Sequence, residues 1–196
     1  MASREGIIAI GGDLNPMRLF EAYNHGIFPW YNDNEPIIWY APDPRMVLKP
    51  HEVYISKSMR KVLRTQTFRV TFNQAFERVI YSCKTIARRG EQGTWITDEL
   101  LQSMLELHKL DIAKSVEVWQ GNDLVGGLYG VDLGDIFCGE SMFSHVSNAS
   151  KVAFIHLCQH LEQKQYKLLD CQVYNDHLAS LGAYEIPRKE FMTYLE

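Results

Sequence analysis

Between Lys114 and Ser144 the chain runs "KSVEVWQGNDLVGGLYGVDLGDIFCGESMFS", and no other stretch restricts the possible folds so strongly. Its first part, "KSVEVWQ", alternates with the period-2 pattern of a strand that buries one face. "GND" supplies a tight turn, and Gly134 breaks the rest into two further strands. "NASKVAFIHLCQHLEQKQ" then has the pattern of an amphipathic helix opened by Asn148 or Ser150, and "YKLLDCQV" that of a strand. "NDHLASLGA" reads as a short helix with Gly182 near its end, and "RKEFMTYL" as a last helix or strand. Strand–turn–strand–strand–helix–strand–helix predicts a mixed sheet covered by helices.

Upstream the character differs. "NPMRLFEAYNHG" predicts a short helix with Asn15 as N-cap, Pro16 at the first helical position and Gly26 past the end; Met17, Phe20 and Tyr23 form its apolar stripe. "IFPWYNDNEPIIWYAPDPR" cannot be a long helix, because Pro29, Pro36, Pro42 and Pro44 each interrupt one. It reads as loop with short extended pieces. Helical patterns return at 56–65, at 73–84 with Asn73 as candidate cap, and at 97–109 with Thr97 as cap. The expected organisation is a small, mostly helical N-terminal domain over 1–95 and a sheet domain over 96–196.

The apolar fraction, 46%, and the charged fraction, 22%, are those of a soluble globular protein. No run approaches the ~20 apolar residues of a membrane helix. "MASREGIIAIGGDL" carries no evident secretory signal. Cys83, Cys138, Cys158 and Cys171 show no CxxC pair, which fits reduced, packed thiols and a cytoplasmic location. His156 and His160 are spaced i, i+4 but lack a third ligand, so no metal is expected. A net charge of -4 argues against a general nucleic-acid binder. Yet "SKSMRKVLRTQTFR" holds Lys57, Arg60, Lys61, Arg64 and Arg69 without an acid, and "KTIARRG" adds Lys84, Arg88 and Arg89. Such clusters are either phosphate contacts or solvated faces. In "FCGESMFS" a single acid, Glu140, interrupts an apolar, small-residue run. Burial of an unpaired carboxylate is costly, so Glu140 is expected to be paired or used.

The element order is similar to that of the GNAT superfamily of acyltransferases, which implies an α+β, GNAT-like sheet domain. The turn where such enzymes usually hold coenzyme A pyrophosphate is here "SHVSNASK", without glycine, so another acyl donor is expected. "GGDL", "GIFPW", "PDPR", "GTWIT", "SVEVW", "LVGGLYGV", "FCGESMFS", "NASK", "DCQV" and "NDH" with "SLGAYEIPR" occur in order from Gly11 almost to the C-terminus. Together they resemble the leucyl/phenylalanyl-tRNA–protein transferase family. Members move Leu or Phe, and by extension Met, from aminoacyl-tRNA to the α-amino group of proteins beginning with Arg or Lys, which creates an N-degron. No cofactor is implied, and a monomer is expected because no heptad or extra apolar patch appears.

The resemblance also implies residue roles. Asp170 and Gln172 of "DCQV" match the proposed catalytic pair, and strand alternation sets both on one face with Cys171 on the other. Asp170 would polarise Gln172, or position the attacking amine electrostatically. Glu140 would join Asp170 in recognising the cationic terminus. Leu128, Phe137 and Met142 would form the apolar donor pocket, with Leu157 and Leu161 as its helix wall; those two are aromatic in some relatives, and aliphatic walls leave more room for Phe. Trp30 would stack on the terminal adenine, with Tyr23 and Trp95 as further aromatic candidates. Lys57, Arg60, Lys61, Arg64, Arg88 and Arg89 become candidate tRNA contacts. The rival expectations are a GNAT-fold N-acyltransferase with another donor, and a non-catalytic tRNA or N-degron binding protein.

Overall fold

The computed structural model describes residues 6–86 and 95–196. The first part of the chain forms β1 (Ile7–Ile10), α1 (Pro16–Asn24), β2 (Phe28–Pro29), β3 (Ile38–Tyr40), β4 (Arg45–Leu48), α2 (Lys57–Arg64), β5 (Arg69–Phe72) and α3 (Phe76–Thr85). After it come α4 (Asp98–Lys109), β6 (Ala113–Gln120), β7 (Asp123–Asp132), β8 (Ile136–Ser144), α5 (Ala149–Gln163), β9 (Leu168–Gln172), α6 (Asp176–Ala179), β10 (Tyr184–Ile186) and α7 (Arg188–Leu195). The last segment, left open between helix and strand, is thus a helix.

Helix starts follow local chemistry. Asn15 Oδ1 accepts from the Met17 N–H at 3.0 Å with Pro16 at the first helical position, and Thr97 Oγ1 accepts from the Leu100 N–H at 3.2 Å. Asn73 does not cap α3, whose N-cap position is Ala75; its Oδ1 accepts from the Ser115 N–H instead. The amides leading into α3 are met from another element: the buried Glu117 carboxylate on β6 accepts from the Gln74 and Ala75 N–H groups, both at 3.4 Å.

Seven strands form one sheet in the order β10-β4-β9-β8-β7-β6-β5, antiparallel except for the parallel β8–β9 pair. A three-stranded antiparallel sheet, β1-β3-β2, lies outside it. One face of the large sheet packs on α1, α3, α4 and α7 through residues such as Leu19, Ile80, Met104 and Phe191. The other packs on α2 and α5 through Met59, Ala153, Leu157 and Leu161. This is the mixed α+β arrangement expected for the C-terminal part. The N-terminal part is less helical than its sequence suggests. β4 and β5 pair with β9 and β6, so a division at residue 95 would cut the main sheet. No helix among the described residues is long and apolar enough to cross a membrane.

Candidate active site

The parallel pair β8–β9 is short. Ile136, Phe137 and Cys138 face Leu168, Leu169 and Asp170, and there the pairing stops. β8 continues along β7 as far as Ser144, and β9 ends along β4 at Gln172. The two strands therefore part, and a cavity of about 600 Å³ opens between them. Leu128 and Met142 of the sheet and Phe154 and Leu157 of α5 form its apolar wall. Trp30 and Trp95 also line it, and Glu140, Asp170 and Gln172 supply polar groups.

Glu140 lies where the β7–β8 register slips: Tyr129 faces Ser141, but Gly130 faces Gly139. The extra residue is a β-bulge, which re-aims a side chain and reverses the alternation beyond it. Phe137 and Met142, five positions apart, consequently belong to the same core, whereas Cys138 and Phe143 belong to the opposite one. Gly130 makes the bulge possible, since a Cβ there would lie 2.2 Å from the Cys138 carbonyl oxygen. The Glu140 carboxyl is pushed up to about 7, chiefly by burial and further by the Asp170 charge; Tyr23, Gln172 and Arg45 offset part of the rise.

A second slip, opposite Met46 and Val47, breaks the alternation expected for β9. Gln172 has φ +65°, a left-handed conformation that costs a non-glycine residue roughly 1–2 kcal/mol. Its backbone N–H donates to Asp170 Oδ1 at 2.9 Å, and its side-chain Nε2 donates to Glu140 Oε1 at 2.6 Å. Asp170 itself is fully buried and gripped by Arg45: Nε donates to Oδ1 at 2.8 Å and Nη2 to Oδ2 at 2.7 Å. The third guanidinium nitrogen, Nη1, donates to the Gly26 carbonyl at 3.1 Å. The Phe28 and Phe191 rings lie 4.9 and 4.7 Å from the guanidinium carbon. Burial works against the Arg45 charge, but the adjoining Asp170 carboxylate outweighs it and raises the Arg45 pKa.

Two expectations are corrected by this geometry. Asp170 does not polarise the Gln172 side chain; it holds the Gln172 backbone, and the side chain turns to Glu140. Nor do two free acids face the cleft, because the Asp170 charge is already compensated by Arg45. Glu140 is the cavity-wall acid that keeps its charge free of a salt bridge among the described residues.

The other candidates divide. Trp30, Trp95, Leu128, Met142 and Leu157 line the cavity. Phe137 and Leu161 do not; with the other side of Leu157 they border a separate cavity of about 70 Å³. Tyr23 is 1% exposed and cannot stack on a base. Its hydroxyl neighbours the Glu140 carboxylate but makes no hydrogen bond of regular geometry. Lys57, Arg60, Lys61 and Arg64 are exposed on α2, without an acidic partner among the described residues. Arg88 and Arg89 lie outside the described residues. His156 bonds its own helix through Nδ1, and His160 stacks on Phe72. Missed in the sequence were Phe154 and His177 in the cavity wall, and above all Arg45. An arginine opening the apolar strand "RMVL" was the available signal, because a buried guanidinium requires a carboxylate.

The cavity thus opens where the parallel pair of the mixed sheet parts, with an apolar wall and a carboxyl and a carboxamide on its rim. Residues 47–196 match the model of the leucyl/phenylalanyl-tRNA protein transferase family, and residues 12–43 match its N-terminal domain. A leucyl/phenylalanyl-tRNA–protein transferase of Flavobacterium johnsoniae is 62% identical over 195 residues, covering 100% of this chain and 92% of the relative. One from Teredinibacter turnerae is 55% identical over 187 residues, covering 95% of this chain and 72% of the relative. A Bacteroides thetaiotaomicron protein of unknown function shares the fold, with a TM-score of 0.51 at 10% identity over 79% of this chain and 55% of its own. The chain belongs to the leucyl/phenylalanyl-tRNA–protein transferase family, and is an aminoacyltransferase acting on aminoacyl-tRNA and protein.

Proposed function

We propose that the chain transfers Leu or Phe, and by extension Met, from its tRNA to the α-amino group of cytoplasmic proteins that begin with Arg or Lys, marking them for degradation. The observation that carries this reading is Glu140, an acid without a salt bridge among the described residues, beside an apolar cavity. The wall of Leu128, Met142 and Leu157 takes the donor side chain, whose burial contributes roughly 1.5–3 kcal/mol. Trp30, 46% exposed at the cavity edge, takes the terminal adenine. The basic face of α2, together with Arg88 and Arg89, meets phosphates of the tRNA.

The aminoacyl ester is already activated, so no covalent nucleophile is needed. Free α-ammonium groups have pKa values of about 8, and a carboxylate that titrates near 7 is matched to take their proton. Glu140 accepts that proton, and the neutral amine attacks the ester carbonyl. The N–C bond forms, the C–O3′ bond breaks, and a proton passes to the departing 3′-oxygen. Gln172, whose amide nitrogen is committed to Glu140, has its amide oxygen left to accept from the amine. The coenzyme A alternative is disfavoured because Ser144 Oγ already occupies the Ser150 N–H at the start of α5. The test is turnover of Phe-tRNA with peptides differing only in their first residue. Arg and Lys peptides should be at least tenfold better than Ala or Glu peptides; equal turnover of all four, or acyl transfer from a coenzyme A thioester, would overturn the reading.

A further inference from the structure

Arg45 is 1% exposed, out of reach of a substrate. All three guanidinium nitrogens donate within the protein, and two aromatic rings flank its plane. It nevertheless sits one residue behind the reacting pair. Arg45 fixes both Asp170 oxygens; Asp170 Oδ1 holds the Gln172 N–H; Gln172 in its left-handed turn delivers Nε2 to Glu140. The same arginine reaches Gly26, just after α1, and Phe191 of α7, so the two ends of the chain close on one guanidinium. A bidentate, planar contact of this type fixes the orientation of a carboxylate, which a lysine, as a point charge, does not.

We propose that Arg45 is a positioning residue for aminoacyl transfer: by locking the Asp170 carboxylate it sets the left-handed turn at Gln172 and with it the Gln172–Glu140 pair. This rests on the reading that Glu140 and Gln172 face the acceptor amine. The charge of Arg45 matters as well as its shape. Glu140 is faced by Tyr23 from α1, Asp170 and Gln172 from β9 and Arg45 from β4, with Cys138 on its own strand. Arg45 is the cation among them.

Arg45→Lys keeps the charge and loses the plane. Its kcat should fall on the order of 100-fold, the scale of a misplacement of about 1 Å, with KM for both substrates within about twofold and an unchanged pH midpoint. In Arg45→Ala, guanidinium ion should restore kcat saturably, entering the gap between Phe28 and Phe191, and the pH midpoint without it should move upward. Wild-type kcat in a folded Arg45→Lys, a raised KM for tRNA at unchanged kcat, or no guanidinium rescue of a folded Arg45→Ala would each overturn the proposal. The NMR shift of the Gln172 backbone amide gives a readout independent of activity. It should move in Arg45→Lys as the bond to Asp170 loosens, and an unmoved signal overturns the clamp. Full activity of Glu140→Gln and Gln172→Ala with that signal still displaced would instead refute the reading of the cleft.

Discussion

Glu140 pays for its position in stability. Its carboxyl titrates at about 7 in the folded chain against an ordinary 4.5, so between those values the folded state holds a proton that the unfolded state has released. Stability from this group accordingly falls as pH rises from about 4.5 to about 7 and is constant above. Glu140→Gln keeps an acceptor for the Gln172 amide and removes the buried charge. At pH 8 urea unfolding should show the variant more stable by about 1–3 kcal/mol, a difference that shrinks as pH falls through 7 and vanishes below about pH 4, while transfer drops by a factor on the order of 10²–10⁴. An equal urea midpoint at pH 8 would mean that folding does not desolvate this carboxylate. In the unsubstituted enzyme, single-turnover transfer should rise with pH through a midpoint near 7. Trp30 is a different kind of residue: exposed at the cavity edge, it meets the Tyr40 ring at a tilt, 6.0 Å between centroids. Trp30→Ala should weaken binding of a phenylalanyl-adenosine analogue about 5- to 150-fold, measured by calorimetry, without lowering the melting temperature.

Elements repeat the lesson at larger size. α5 approaches β7 so closely that a Cβ on Gly126 would lie 2.5 Å from that of Ala149. Gly126→Ala should therefore push the helix outward, destabilising the fold by about 1–3 kcal/mol in urea titrations and widening the cavity that α5 walls. Glu117 ties together β5, β6 and the segment leading into α3, accepting from Thr71 and Ser115 hydroxyls as well as the Gln74 and Ala75 amides. Glu117→Ala leaves those donors unmatched and should cost about 3 kcal/mol in the same assay, with kcat unaltered. What was legible in the sequence had local causes. β6, β7 and β8 announced themselves by alternation and turns, α1 and α4 by caps. β4 and β5 did not, because four-residue strands are too short for a pattern and their partners are distant; Arg45 meets Asp170 across 125 positions. Trp30, Leu128 and Glu140 were recognisable from motifs. The common strand face expected for Asp170 and Gln172 was misjudged because alternation was assumed through a bulge, and a bulge exists only relative to a partner strand.

At the scale of the molecule the difficulty is electrostatic. A chain of net charge -4 must bind a polyanion, so attraction has to come from a local cluster and not from the overall field. α2 offers Lys57, Arg60, Lys61 and Arg64, exposed and unpaired with acids among the described residues. It packs on the same sheet face as α5, which walls the cavity. Each phosphate contact of a basic side chain releases condensed counterions, so the affinity for tRNA should fall with salt at a logarithmic slope of about 0.7–0.9 per contact. Arg60→Gln with Arg64→Gln should reduce that slope by about two contacts and raise KM for Phe-tRNA most at low salt. An aminoacyl-adenosine donor has no phosphates for α2 to meet. Its transfer rate should therefore be the same in the double variant as in the unsubstituted enzyme, and nearly independent of salt between about 50 and 200 mM. A salt slope unchanged by the two substitutions would place the tRNA body elsewhere on the surface; a loss of transfer from the truncated donor would show that α2 acts on the cleft and not on the polyanion.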